Sequence, residues 1–195
     1  MKALRMFAVL ITLLWALPAF AVVNPYEKMD MKRMLKAAED GDATALTILG
    51  ILYDLGSEIN DIPKDKTKAK QLIQKAADQG YAEAQTWMGD AEEDHTKKMQ
   101  WYLKAANQNH PYAQYRMGVI YYFGQGVQIN HYWAASWWQK AAEQGNTWGQ
   151  YNLGLMYYDG EGVIRDRLRG CGLIRVAAEK GYIKAIEAYN NICAN

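Results

Sequence analysis

Apolar residues along most of this chain recur three and four positions apart, as in Tyr115, Val119 and Tyr122, or Trp133, Trp137 and Ala141, which is the spacing of one helix face. The pattern itself repeats. A shift of 36 residues lays Met117-Gly118 on Leu153-Gly154, Tyr121-Tyr122 on Tyr157-Tyr158, and Gly124-Gln125-Gly126-Val127 on Gly160-Glu161-Gly162-Val163. The segment Lys-Ala-Ala-x-x-Gly occupies residues 36–41, 75–80 and 140–145, and returns with altered ends at 104–109 and 176–181. A second column holds Ala45, Ala84, Ala113 and Gly149, each followed by a glycine: Gly50, Gly89, Gly118 and Gly154, with steps of 39, 29 and 36. Each unit therefore reads as two helices. The glycine closing each Lys-Ala-Ala segment suits a left-handed C-cap, and Pro111 falls where the next helix begins and has no hydrogen bond to lose. Small residues in the Ala and Gly columns let backbones approach, and close packing must offset the cost of about 1 kcal/mol for a glycine inside a helix.

Ahead of the repeats, residues 1–21 carry Lys2 and Arg5, an apolar run over 6–17, and Pro18-Ala19-Phe20-Ala21, an A-x-A cleavage pattern. This predicts a secretory signal peptide cleaved after Ala21. The run is shorter than the roughly 20 apolar residues of a spanning helix, so an uncleaved inner-membrane anchor is the weaker alternative. Removal of the leader takes away two positive charges and no negative ones, moving the formal charge from +1 to −1. The predicted product is a periplasmic or secreted protein without stable membrane insertion.

The repeats resemble the Sel-one-like repeat family, relatives of the tetratricopeptide repeats, whose motif runs A-x-x-x-L-G-x-x-Y-x-x-G-x-G-V and then A-x-x-W-Y-x-K-A-A-x-x-G. Residues 111–145 supply Ala113, Met117-Gly118, Tyr121, Gly124, Gly126-Val127, Ala134, Trp137-Trp138 and Lys140-Ala141-Ala142. Residues 146–181 follow the motif with departures at Gly149, Gly170 and Leu173-Ile174, which are expected to loosen that copy. The copies at 41–80 and 81–110 are more degenerate: the first replaces the Gly-x-Gly turn with residues 56–63, and the second passes through Glu92-Glu93-Asp94 instead. Residues 22–40 look like an orphan second helix and residues 182–195 like an orphan first helix, one cap at each end. The resemblance implies an all-α fold, a right-handed α-solenoid of ten helices in stacked antiparallel pairs, in which neighbouring pairs supply the core that one pair cannot build alone.

Cys171 lies ten residues before Gly181, and Cys193 lies eleven after Tyr182, so antiparallel packing about that turn sets them opposite each other. Export to an oxidising compartment favours a disulfide. The alternative is two small buried residues in repeat columns, since Cys171 aligns with Ala135 and Cys193 with Tyr157.

Length and composition narrow the function. A chain of 195 residues fits one large domain or a short repeat array, and with half its residues apolar, 16 Gly and only 4 Pro it should fold. A formal charge of +1, from 22 basic and 21 acidic residues, gives no strong field to gather nucleic acid or an anionic membrane. His95, His110 and His131 form no i, i+4 pair with a carboxylate and no Cys/His cluster, so no metal, cofactor or catalytic centre is predicted. The two Gly-x-Gly segments lack the strand, third glycine and Lys-Ser/Thr of a phosphate-cradling loop and read as inter-helix turns, where Asp159 and Glu161 would sit in water.

Aromatic residues offer more. Seven Trp and 14 Tyr are many for this length, and Trp101-Tyr102 and Trp137-Trp138 occupy the aromatic pair of the motif, hence the core. Trp87, Arg116 and Asn152 share a variable column of the first helices, and Glu83, Tyr112 and Trp148 share the column four residues earlier. That spacing places both columns on one side of each first helix, which in related repeats lines the concave groove. Trp87, Tyr112, Arg116, Trp148 and Asn152 are the candidate partner-binding residues, against the alternative that the tryptophans fill gaps beside Gly89 and Gly149. Tyr132-Trp133 is a second candidate contact patch. The reading is a non-enzymatic, monomeric scaffold gripping a protein or peptide, with envelope signalling, complex assembly, host contact and toxin neutralisation as implied roles. The rival is an enzyme or binder of cell-wall or β-lactam compounds, proposed for cysteine-rich relatives that carry a Cys pair in most repeats; here there is one pair in all.

Overall fold

The structure, a computed structural model, describes residues 31–57 and 60–194. The expected leader and the start of the expected N-terminal cap lie outside the described residues. Ten α-helices are described: α1 (Met31–Glu39), α2 (Ala43–Leu55), α3 (Lys66–Asp78), α4 (Ala82–Ala91), α5 (His95–Asn107), α6 (Pro111–Phe123), α7 (His131–Glu143), α8 (Thr147–Asp159), α9 (Arg167–Glu179) and α10 (Ile183–Ala188), the last running into a π-helical turn at Tyr189–Cys193. Among the described residues an isolated Ser57–Ile62 bridge is the only β-pairing. The chain forms two compact units, Met1–Glu92 and Glu93–Asn195, divided between the two helices of the second repeat.

Capping residues fix where the helices start. Asp65, Asp94, Asn130 and Asp166 precede α3, α5, α7 and α9, and each side chain accepts the amide hydrogen of the third residue onward: Lys68, Lys97, Trp133 and Arg169. Such a cap stabilises by about 1 kcal/mol. Asp42, His110 and Asn146 do the same for α2, α6 and α8. The C-terminal ends follow the predicted punctuation: Gly41, Gly80, Gly145 and Gly181 have φ between 81° and 92°, and Asn109, which replaces glycine in the degenerate copy, takes the same left-handed region at φ 61°. Gln85, Gln114 and Gln150 donate from Nε2 to the carbonyl oxygens of Ala77, Ala106 and Ala142 at 3.2, 3.3 and 3.3 Å, tying each first helix to the second helix before it.

In the first unit α2 lies against α3, with Gly50 facing the buried side chain of Ile73. The second unit repeats this with larger rings. Gly118 of α6 faces Trp138 of α7, and Ala134, Ala135, Trp138, Ala142, Leu153 and Met156 form one buried cluster. Ile174, Ala177 and Ala185 form the next, covered by Tyr151, Leu155 and Tyr182.

Two expectations fail. The fourth copy is tight rather than loosened: a Cβ on Gly170 would stand 2.6 Å from the Gly154 carbonyl oxygen, and one on Gly149 would stand 2.9 Å from the Ala141 Cβ. The glycines permit helix backbones to touch where the other copies separate them with side chains. The motif's aromatic pair is also not wholly core. Tyr102 and Trp138 are buried, but Trp101 and Trp137 are half-buried, each beneath an ammonium, Lys104 or Lys140, at 4.2 Å from the ring centre. Adjacent residues on a helix point about 100° apart, so only one of two can face the partner helix.

Candidate functional site

Helices α6 and α8 are the first helices of consecutive repeats, and their capping residues His110 and Asn146 start them in the same register. Tyr112 and Arg116 on α6, and Trp148 and Asn152 on α8, are each four residues apart and so share a helix side. The structure brings three of these together. The Tyr112 and Trp148 rings meet edge-on at 5.8 Å. Arg116 Nη1 donates to the Tyr112 hydroxyl at 3.2 Å, and its guanidinium stands 5.0 Å from the Tyr102 ring centre and 5.8 Å from that of Tyr112. Asn152 is half-buried one turn beyond Trp148.

Sequence reasoning missed Tyr115, Tyr151 and Tyr182. Tyr115 lies between Tyr112, at 6.1 Å, and Trp148, at 5.4 Å, while Tyr151 meets Tyr182 edge-on at 5.2 Å. The signal was present, because Tyr115 and Tyr151 are related by the same 36-residue shift and stand three residues after Tyr112 and Trp148. Burial raises the phenol pKa of Tyr115, Tyr151 and Tyr182, and Tyr182 is raised further by Tyr115 and Tyr151. All three stay neutral near pH 7. The result is two neighbouring aromatic groups, Tyr112, Tyr115 and Trp148 on α6 and α8, and Tyr151 and Tyr182 on α8 and the start of α10, with one guanidinium beside the first and hydroxyls able to donate and accept. Large amphipathic rings beside an arginine are the residue types that carry interface energy. The space beside Gly149 is filled by Ala141 and the backbone of α7, while the Trp148 ring meets Tyr112 and Tyr115.

Trp87 belongs to the first unit, where it lines a shallow hollow with Asp54, Lys66, Lys70, Asp90 and Ala91. Cys171 and Cys193 are joined by a disulfide across 22 residues, fastening the terminal turn to α9.

Glu161 is not simply in water. Its Oε2 accepts from the Tyr122 hydroxyl at 3.0 Å, its Oε1 lies 3.0 Å from His131 Nδ1, and the Tyr122 and His131 rings stack at 5.0 Å. Burial, then Glu161, raises the Tyr122 pKa. The trio ties the α6–α7 turn to the α8–α9 turn. Among the described residues no group of three or more His, Cys, Asp or Glu side chains is placed to hold a metal, and no helix is long and apolar enough to cross a membrane.

The Sel1 repeat pattern matches the chain four times, over residues 43–81, 82–110, 111–146 and 149–182. No curated protein matches it. Among solved structures, a protective antigen of uropathogenic Escherichia coli with an SLR fold is 34% identical at TM-score 0.74, over 80% of this chain and 34% of the antigen. A Sel1 repeat protein of Oxalobacter formigenes is 27% identical at TM-score 0.78, over 84% of this chain and 69% of its own. An immunity protein of Pseudomonas aeruginosa, 23% identical at TM-score 0.60 over 92% of this chain and 66% of its own, shares the fold. The chain thus spans about a third of the antigen's length. With its stacked antiparallel helix pairs and four matched repeats, the chain belongs to the Sel1 repeat family of α-solenoids, typically non-catalytic scaffolds for contact between proteins.

Proposed function

We propose that this chain is an exported, non-enzymatic scaffold that binds a protein or peptide through the first-helix surface of its repeats. One observation carries the reading: Tyr112, Tyr115 and Trp148 converge from two helices with Arg116 beside them, and all three rings are only half-buried. On this reading the surface lines the concave side, residues 1–21 are a leader removed after Ala21, and the four repeats run from 41 to 181 between helical caps. The Cys171–Cys193 bond supports maturation in an oxidising compartment. The fold shared with a Pseudomonas aeruginosa immunity protein makes neutralisation of a delivered toxin one role to test, alongside host contact and complex assembly.

Affinity capture from envelope extracts tests the surface, comparing wild type with the combined Tyr112→Ala, Arg116→Ala and Trp148→Ala variant. Partners held by the wild type and lost by the folded variant support it. Equal recovery by both refutes it.

A further inference from the structure

A different part of the second unit is apolar where a soluble protein has reason to be polar. Tyr132 and Trp133 on the first turn of α7 are 66% and 49% exposed, and Ile164 in the α8–α9 turn and Leu168 at the start of α9 are 90% and 88% exposed. The repeats supply their own contrast. Two positions after the N-cap of each second helix stand Thr67, Thr96, Tyr132 and Leu168; three positions after stand Lys68, Lys97, Trp133 and Arg169. The same column is thus polar in the first two repeats and apolar or amphipathic in the last two. The Tyr122–Glu161–His131 linkage, with Gly162 packed against His131, holds the α8–α9 turn beside the start of α7, so these residues sit on adjoining segments that form one edge of the unit on this reading.

The charges on that edge are also sorted. Arg165 Nε donates to the Tyr158 carbonyl oxygen at 3.2 Å, the Arg167 guanidinium stands 5.0 Å from the Tyr158 ring centre, and that of Arg169 stands 4.2 Å from the Tyr157 ring centre. All three arginines remain exposed. Of the three carboxylates in residues 159–170, Asp166 is turned onto the Arg169 amide at 2.9 Å and Glu161 is held by Tyr122 and His131, which leaves the exposed Asp159 against three arginines. The near-neutral total charge conceals this local arrangement, because screening at physiological salt limits what a surface senses to about 8 Å.

We propose that this edge docks the protein peripherally onto an anionic phospholipid surface. Ile164 and Leu168 enter the acyl boundary, Tyr132 and Trp133 sit at headgroup level, and Arg165 and Arg167 meet lipid phosphates. A fluid phase closes around a side chain that stands clear of its neighbours, whereas a protein partner needs a matching pocket for each one. Tyr and Trp suit the interface because one end is apolar and the other polar, and arginine keeps its head in the polar layer.

Cosedimentation tests this, using protein purified from cells expressing the whole chain and sequenced at its N-terminus. The vesicles are phosphatidylcholine alone, or roughly seven parts phosphatidylcholine to three of phosphatidylglycerol, at about 0.15 M salt. The expected result is binding about tenfold stronger to the anionic vesicles. The Ile164→Ser/Leu168→Ser variant should lose binding to both vesicle types, and Arg165→Gln/Arg167→Gln should lose the preference for phosphatidylglycerol. Thermal melts matching the wild type keep a folding defect from imitating either loss. Absence of wild-type binding, equal binding to both vesicle types, or undiminished binding by the folded double-serine variant overturns the proposal; absence of wild-type binding would leave a protein as the cover for this edge.

Discussion

The indole of Trp138 lies directly over Gly118, and its Nε1 donates to the Tyr115 carbonyl oxygen at 3.1 Å. Any side chain at position 118 would occupy space the indole already fills. Gly172, also inside a helix, has no atom within 4 Å of where its Cβ would stand. The same substitution should therefore change stability in opposite directions. Gly118→Ala is expected to lose about 1–3 kcal/mol to overpacking, whereas Gly172→Ala should gain up to about 1 kcal/mol from helix propensity. Urea unfolding of both variants checks the pair, and a stable Gly118→Ala would contradict the packing described.

Neighbouring aromatics should prove unequal. Trp138→Ala opens a cavity in the buried cluster and is expected to cost about 3–5 kcal/mol. Trp137→Ala removes a half-buried ring under the Lys140 ammonium and should cost about 1 kcal/mol. Thermal melts of the two variants separate these outcomes.

Those tryptophans also show how far the sequence could be read. Helix pairs, turns, glycine columns and the cysteine pairing were legible because each depends on spacing, and spacing survives in one chain without an alignment. The burial of Trp138 rather than Trp137 was partly legible, since adjacent helical positions diverge by about 100°, but which of them faces inward depends on the approach of α6. The engagement of Glu161 was not. Its partners Tyr122 and His131 are 39 and 30 residues away, and the local pattern of a Gly-x-Gly turn carries no trace of them. The tightness at Gly170 was missed for a related reason: loss of a side chain reads as a gap until the opposing backbone is seen to fill it.

The terminal disulfide should be a measurable fraction of stability. Linking Cys171 to Cys193 closes a loop of 22 residues, worth about 3 kcal/mol by loop-entropy arguments. Reductant, or the Cys171→Ser/Cys193→Ser variant, should lower the melting temperature and expose α10 to proteolysis first. An unchanged melt under reducing conditions would show that α10 holds by packing alone.

His110 should make stability depend on pH. Its Nδ1 accepts the Ala113 amide hydrogen at 3.3 Å, and burial holds the imidazole pKa down to about 4 from its ordinary 6.5. The folded chain therefore resists a proton that the unfolded chain takes up near pH 6.5. Stability from this residue is complete above pH 6.5 and is lost progressively as pH falls toward 4, by about 3 kcal/mol. His110→Asn, which copies the cap of α8, should flatten that slope in urea titrations from pH 7 to pH 4.

The covalent link near the end has a consequence for how this protein is dismantled. A protease that nicks the backbone between Cys171 and Cys193 cuts inside a closed ring, so the severed tail stays attached and can settle back onto α9. Gel bands would part only after reduction. Such damage is survivable while the bond stays oxidised, and trimming from the carboxyl end stalls at the first bridged cysteine.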